Sequence, residues 1–239
     1  MTAGHEEKGA RFEVLLYDTI LEIEDFGFTY HGAAESSLTG ISAQVRCGEF
    51  VCLTGDSGCG KSTLLLGIMG LLRGGRGVGT IWVTPSDTDD RAPAAGIVFQ
   101  TAESQILCST VAEEVAFGPE NLCVPADEIA LRVREGLAAV GLTGEERRSV
   151  ERFSAGQKQR LAVASVLAMR PGLLLLDEPT SQLDVQGKEE LVAVFTELKR
   201  RGHTIVMAEH DPRPFEALVD RYLKLERGRL VGSDRVPPD

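Results

Sequence analysis

Short apolar segments with the pattern of β-strands alternate along the chain with segments of helical periodicity. In 20–30 (ILEIEDFGFTY), Leu21 and Ile23 fall on one face and Glu22 and Glu24 on the other, the period of a half-buried strand. Segments 38–45 (LTGISAQV) and 49–55 (EFVCLTG) predict two further strands. Segments 79–84 (GTIWVT) and 95–100 (AGIVFQ) predict two more, around a polar, Pro-containing loop. Leu173 to Leu176 is a continuous apolar run, as expected of a strand covered on both faces. HTIVMAEH (203–210) is another strand, and the tail YLKLERGRLVG (222–232) is strand-like. Helices are predicted over 64–72 and over 126–141, where Ile129, Val133, Leu137 and Val140 share a face. A further helix over 187–201 carries Leu191, Phe195 and Leu198 on one face. Strands alternating with helices predict an α/β fold around a mostly parallel, covered sheet. From about 101 to 152 the pattern changes to that of a helical insertion into this core, and residues 1–18 look like a variable lead-in.

Composition narrows the class. A chain of 239 residues fits one large α/β domain or two small ones. The net charge of -11 argues against a nucleic-acid partner, because phosphate backbones are bound by Lys and Arg. No apolar run approaches the roughly 20 residues that span a bilayer, and the N-terminus lacks the apolar core of a secretory signal. The five cysteines (Cys47, Cys52, Cys59, Cys108, Cys123) are odd in number and form no CxxC, which predicts reduced thiols in a cytosolic protein.

The first candidate chemistry is Gly55-Asp56-Ser57-Gly58-Cys59-Gly60-Lys61-Ser62-Thr63, placed between a predicted strand and a predicted helix. Triphosphate binding needs backbone N–H groups converging on oxygens, glycines that let the backbone approach, and a helix N-terminus facing the charge. Gly55, Gly58 and Gly60 supply the approach, Lys61 a point charge for the β- and γ-phosphates, and Ser62 a hydroxyl for Mg²⁺. Asp56 is expected to face solvent, since an anion pointing at phosphate is unfavourable. Cys59 has two readings: a small residue that fits, or a thiol activated by the helix N-terminus.

The second is Asp177-Glu178 at the end of the apolar strand. Asp177 can hold Mg²⁺ there, leaving Glu178 to polarise an attacking water. Gln100 and His210 end two other predicted strands, where ligand chemistry gathers in α/β sheets. Gln100 could reach the metal or the water, and Tyr30 could stack on a purine or simply belong to core or surface.

With these residues in order, the chain resembles ATP-binding-cassette (ABC) ATPases over nearly its whole length. Ser154-Ala155-Gly156-Gln157 is similar to the family's signature, Leu-Ser-Gly-Gly-Gln, with Phe153 for the Leu and Ala155 for the first Gly. Gln100 matches the Q-loop, Asp177-Glu178 the Walker B, Ser181-Gln182-Leu183-Asp184 the D-loop, His210 the switch histidine and Tyr30 the adenine-stacking aromatic. The resemblance implies a P-loop NTPase of ABC type spanning 1–239 as one domain. Residues 18–100 and 170–239 would form the α/β core with an antiparallel β subdomain. Residues from about 101 to 169 would form a helical subdomain. It also implies a head-to-tail dimer holding two ATP, in which Ser154, Gly156, Gln157 and Asp184 meet the partner's nucleotide, with Mg²⁺ held near Ser62, Gln100 and Asp177.

A finer likeness follows the Q-loop. Gln105, Thr110-Val111, Val115-Ala116-Phe117-Gly118 and Asn121-Leu122 are similar to the energy-coupling-factor (ECF) branch, which drives uptake of vitamins and of cobalt or nickel. Thr101-Ala102 stands there for the usual Asn-Pro, and Glu114 for an Asp. The resemblance implies a peripheral subunit on the cytoplasmic face of the membrane, pairing with itself or a related ATPase. Its partners would be a transmembrane coupling subunit and a substrate-binding membrane subunit. Glu103, Glu113 and Glu114 would either oppose basic coupling helices or form a solvated acidic face. Many ECF ATPases add a C-terminal dimerisation region, expected here to be short or absent. The alternatives are an ATPase of another ABC importer or exporter, a soluble ABC ATPase, and a regulatory module without turnover.

Overall fold

The computed structural model describes residues 19–85 and 90–234; the lead-in expectation for 1–18 lies outside them. Three strands, β1 (Thr19–Tyr30), β2 (Leu38–Arg46) and β4 (Gly75–Val83), form an antiparallel sheet in the order β2-β1-β4. Six others are β3 (Phe50–Thr54), β5 (Ala95–Val98), β6 (Leu173–Asp177), β7 (Thr204–Ala208), β8 (Arg221–Glu226) and β9 (Arg229–Asp234). They form a second sheet in the order β5-β6-β7-β3-β8-β9, parallel except for the final β8–β9 pair.

The central strands are apolar at every position because each face meets a different core. Leu174 and Leu176 of β6 pack on one side with Ile205, Met207, Phe50 and Cys52. Leu173 and Leu175 pack on the other with Val206, Ala208, Val51 and Leu53. The second side is closed by the antiparallel sheet and helix α1 (Lys61–Ile68). The first is closed by α2 (Val111–Asn121), α3 (Ala126–Ala139), α4 (Ala155–Ala168) and α5 (Val185–Arg200).

Several boundaries differ from the hydrophobic pattern. Helix α1 begins at Lys61, before its apolar run, and stops at Ile68, with Gly70 at φ +66 beyond its cap. The tail is a hairpin, β8 and β9, turning at Arg227 (φ +45) and Gly228 (φ +73). In β1 the buried positions change phase from Leu21 and Ile23 to Phe26 and Phe28, across a bulge at Asp25 (φ +46). Gly79, at φ +74, lets β4 pass this bulge, since a Cβ there would lie 2.3 Å from the Asp25 carbonyl oxygen. Within the helical insertion expected from about 101 to 152 the pattern singles out no helix over 111–121; α2 lies there, opened by a capping box between Thr110 and Glu113.

Candidate functional site

The phosphate-loop residues join the end of β3 to the start of α1, the strand–loop–helix order that the motif requires. Gly55, Gly58 and Gly60 all have positive φ. At Gly55 an added Cβ would sit 2.2 Å from the Leu225 carbonyl oxygen and 2.8 Å from Cys59 Sγ, so the loop's first turn admits only glycine. Asp56, Ser57 and Ser62 are exposed, Thr63 is half-buried, and Cys59 is buried in a core cluster, as a small filling residue would be. Lys61 is 4% exposed. Its ammonium donates to the carbonyls of Gly55 (2.8 Å) and Asp56 (3.3 Å) and lies 3.5 Å from Glu178 Oε1.

Strand β6 delivers the two carboxylates beside this loop. Ser62 Oγ donates to Asp177 Oδ1 at 3.0 Å. Burial pushes the Asp177 carboxyl above its ordinary range; the Ser62 hydrogen bond and Lys61 oppose this, and Glu178 adds to it. Glu178 has φ +44, a conformation that costs a non-glycine residue about 1–3 kcal/mol and persists only where the surroundings impose it. Its backbone N–H donates to the Ala208 carbonyl (2.9 Å), which pins that conformation to β7. Gln100 Nε2 donates to Glu178 Oε2 at 3.0 Å, closing the constellation from the end of β5.

Sequence reasoning gave Glu209 no role. It is buried and accepts from Thr180 N (3.2 Å), Thr180 Oγ1 (2.6 Å) and His210 N (3.2 Å). Burial raises its carboxyl pKa, and the bonds from Thr180 oppose that. It thereby ties the turn after Glu178 to the end of β7, where His210 stands exposed beside a cavity of about 210 Å³ that Thr54, Gly55 and Asp56 also line.

Mg²⁺ prefers a few protein oxygens and keeps the rest of its shell for water and phosphate. Ser62, Asp177 and Gln100 offer hydroxyl, carboxylate and amide oxygen, a hard donor set that fits it. Among the described residues no group of three or more His, Cys, Asp and Glu could cage a metal alone.

The signature residues open a different face. Ser154 caps α4, accepting from Gln157 N (3.2 Å) while Gln157 Oε1 accepts from Ser154 N (3.0 Å). With Gly156, Gln182 and Asp184 they line a groove of about 440 Å³ that contains no phosphate-loop residue. Asp184 caps α5 by accepting from Gly187 N at 2.8 Å. Tyr30 is half-buried, edge-on to Phe28 with ring centroids 4.9 Å apart, in a hollow with His31, Arg76 and Arg229.

Of the three acids considered for partner docking, one is buried, and the other two are exposed while bonded to neighbouring groups. Glu114 is buried and accepts from Leu107 N and Cys108 N, both at 2.8 Å, so it offers no charge to a partner. Glu113 completes the cap of α2, and Glu103 pairs with Lys158 at 2.5 Å.

A family model described as ABC transporter matches residues 38–181. A Methanosarcina mazei protein named as an ABC transporter ATP-binding protein is 41% identical over 222 residues, covering 89% of this chain; the chain spans 38% of that relative's length. The energy-coupling factor transporter ATP-binding protein EcfA of Methanocaldococcus jannaschii is 38% identical over 217 residues, covering 89% of this chain and 77% of its own. Among solved structures, cbiO1 of Clostridium perfringens, part of the ABC transporter complex cbiONQ, has a TM-score of 0.80 at 32% identity, covering 91% of this chain and 89% of its own. The ATP-binding cassette MJ0796, a dimer in a post-hydrolysis state with ADP and Pi, has a TM-score of 0.76 at 26% identity, covering 92% and 100%. No helix among the described residues is long and apolar enough to cross a membrane.

Proposed function

We propose, from the premise that this chain belongs to the ABC transporter family, that it hydrolyses ATP to power uptake through a membrane transporter of energy-coupling-factor type. The observation that carries this reading is the convergence of Lys61, Gln100 and Glu178 beside the Ser62–Asp177 pair. A loop that presents N–H groups and one ammonium binds phosphates. A carboxylate fixed at 3.0 Å from an amide donor is oriented to accept a proton from water.

In this reading Lys61 and the loop backbone bind the β- and γ-phosphates, and Tyr30 stacks on the adenine. Ser62, Asp177 and Gln100 would hold Mg²⁺, which would supply charge neutralisation of the phosphate oxygens. Glu178 takes the proton of the attacking water, and His210 approaches the γ-phosphate from β7. Ser154, Gly156, Gln157 and Asp184 serve the nucleotide of a second ATPase subunit, which is why they line a separate groove. The subunit sits on the cytoplasmic face of the membrane against a transmembrane coupling protein. The cargo is a vitamin or a cobalt or nickel ion, selected by a membrane subunit rather than by this chain. The likeness to EcfA and to a component of cbiONQ supports this branch.

The test is the Glu178→Gln variant in the complex purified from membranes. Hydrolysis is expected to fall by about 10²–10⁴ with ATP binding retained. A variant that turns over as fast as the parent removes Glu178 as the base. Recovery of the protein only in the soluble fraction, without membrane partners, removes the transporter assignment.

A further inference from the structure

The loop that carries Gln100 is a small rigid unit. Gln105 closes its base, accepting from Phe99 N and donating to the Ile97 carbonyl, each at 3.0 Å. Within it, Ser104 Oγ donates to the Thr101 carbonyl at 2.7 Å, and the N–H groups of Gln105 and Ile106 both donate to the Ala102 carbonyl. Ala102 is anchored in the core. A loop braced in this way moves as one piece.

Three side-chain links leave this piece for three different parts of the fold. Gln100 reaches Glu178 at the end of β6. Gln182 Nε2, in the turn before α5, donates to Thr101 Oγ1 at 3.3 Å. Glu103 pairs with Lys158, in the first turns of α4, at 2.5 Å. Lys158 is otherwise poorly placed, because a cation near a helix N-terminus opposes the helix dipole. The Glu103 carboxylate offsets that charge and gives the lysine one direction to point. With side chains 65% and 19% exposed, the pair adds little to stability. What it fixes is geometry.

We propose that Glu103, acting through Lys158, and Thr101, acting through Gln182, are positioning residues for ATP hydrolysis that set where the rigid loop holds Gln100 against Glu178. The proposal rests on the ATPase reading given above. Neither link touches the reacting atoms. Each joins the loop to an element that also bears groove residues, Ser154 and Gln157 on one side and Asp184 on the other. A displacement of either element is therefore delivered to the catalytic carboxylate through Gln100. Charge at residues 103 and 158 should tune turnover without altering nucleotide binding, and the amide at 182, which also lines the groove, should tune turnover.

The experiment uses the complex purified from membranes, with steady-state hydrolysis, Mg·ATP binding and thermal unfolding measured together. Glu103→Lys and Lys158→Glu should each lower kcat by about 3–10-fold, with KM within about twofold and Tm nearly unchanged. The double reversal restores the pair with opposite polarity and should recover most of kcat. Gln182→Ala should lower kcat, and Thr101→Val added to it should cost nothing more, as expected of two residues sharing one contact. Single reversals that leave kcat at the parent value, or a double variant whose loss is the product of the singles, overturn the Glu103–Lys158 role. Multiplying losses at residues 101 and 182 overturn the other. A parent complex without hydrolysis overturns the ATPase reading and this proposal together, whereas a working parent with indifferent variants overturns the positioning roles alone.

Discussion

Lys61 and Glu178 form an ion pair between the start of α1 and the end of β6, Nζ to Oε1 3.5 Å, with the lysine side chain 4% exposed and the glutamate 25%. One cation thus faces both the carbonyls of its own loop and the carboxylate proposed as base. A γ-phosphate bound at Lys61 would thereby lie next to the group proposed to activate its attacking water. Lys61→Met should weaken Mg·ATP binding by about 10–100-fold, the equivalent of one charge-assisted hydrogen bond. Lys61→Arg should not restore it, because a planar guanidinium does not fit a buried position shaped around an ammonium. Calorimetric titration with Mg·ATP checks both variants, and a Met variant that binds like the parent would refute the assignment of Lys61.

The loop glycines differ in what a side chain would meet. At Gly55 a Cβ collides with backbone, the Leu225 carbonyl oxygen at 2.2 Å, while at Gly58 nothing lies within 4 Å. Both have positive φ, so alanine is strained at either position. Gly55→Ala must also push the loop away from β8, and should abolish nucleotide binding with a clear loss of thermal stability. Gly58→Ala should keep the fold and bind nucleotide more weakly than the parent. Unfolding curves recorded with and without Mg·ATP separate the two outcomes.

Much of this arrangement is legible in the sequence because its causes are local. Strands covered on both faces must be continuously apolar, which marks β6 and β7. The phosphate loop needs glycine where φ is positive, which marks Gly55, Gly58 and Gly60. Other features depend on contacts that spacing cannot reveal. Helix α2 contains Gly118 and Pro119, which break its apolar pattern, and only the Thr110–Glu113 cap announces it. The bulge at Asp25 changes the phase of β1, so its second half cannot be assigned from the alternation of its first. The contact between Gln100 and Glu178 joins residues 78 positions apart, and it exists only because β5 and β6 are neighbours in the sheet. Glu114 looks like a surface acid in any composition argument, since nothing in its spacing signals the two N–H groups it accepts from.

At the end of α5, Glu197 accepts from Arg200 and Arg201. These hydrogen bonds pull its carboxyl from an ordinary 4.5 to about 2. On acidification the unfolded chain therefore takes up this proton before the native chain does. The stabilisation is complete above about 4.5 and is lost as pH falls through the interval towards about 2. Glu197→Gln should differ from the parent at neutral pH and converge on it in strong acid. The glutamate side chain is 31% exposed and its arginine partners more so, so the difference should be small and should shrink further in high salt. Denaturant titrations of parent and variant at several pH values test this, and a gap that widens on acidification would contradict the sign.

Glu114 makes the opposite case, an acid whose value is structural. It is 5% exposed, and its Oε2 accepts from two consecutive backbone donors, Leu107 N and Cys108 N, just before the cap of α2. Removing the carboxylate leaves both N–H groups without their acceptor and opens the segment that joins the Gln100 loop to the helices. Glu114→Ala should therefore cost about 1.5–3 kcal/mol for the lost bonds to a charged acceptor. In a domain of this size that is a fall in Tm of roughly 3–12 °C. Glu114→Gln keeps one acceptor oxygen of the same reach and should lose less than half as much. A docking role predicts the reverse pattern, with both variants equally stable and both weakened in assembly with the membrane partner. Calorimetry on the purified chain, paired with recovery of the membrane complex, distinguishes the two. The burial of Glu114 and its paired donors lead us to expect loss of stability in the Ala variant and undiminished assembly in the Gln variant.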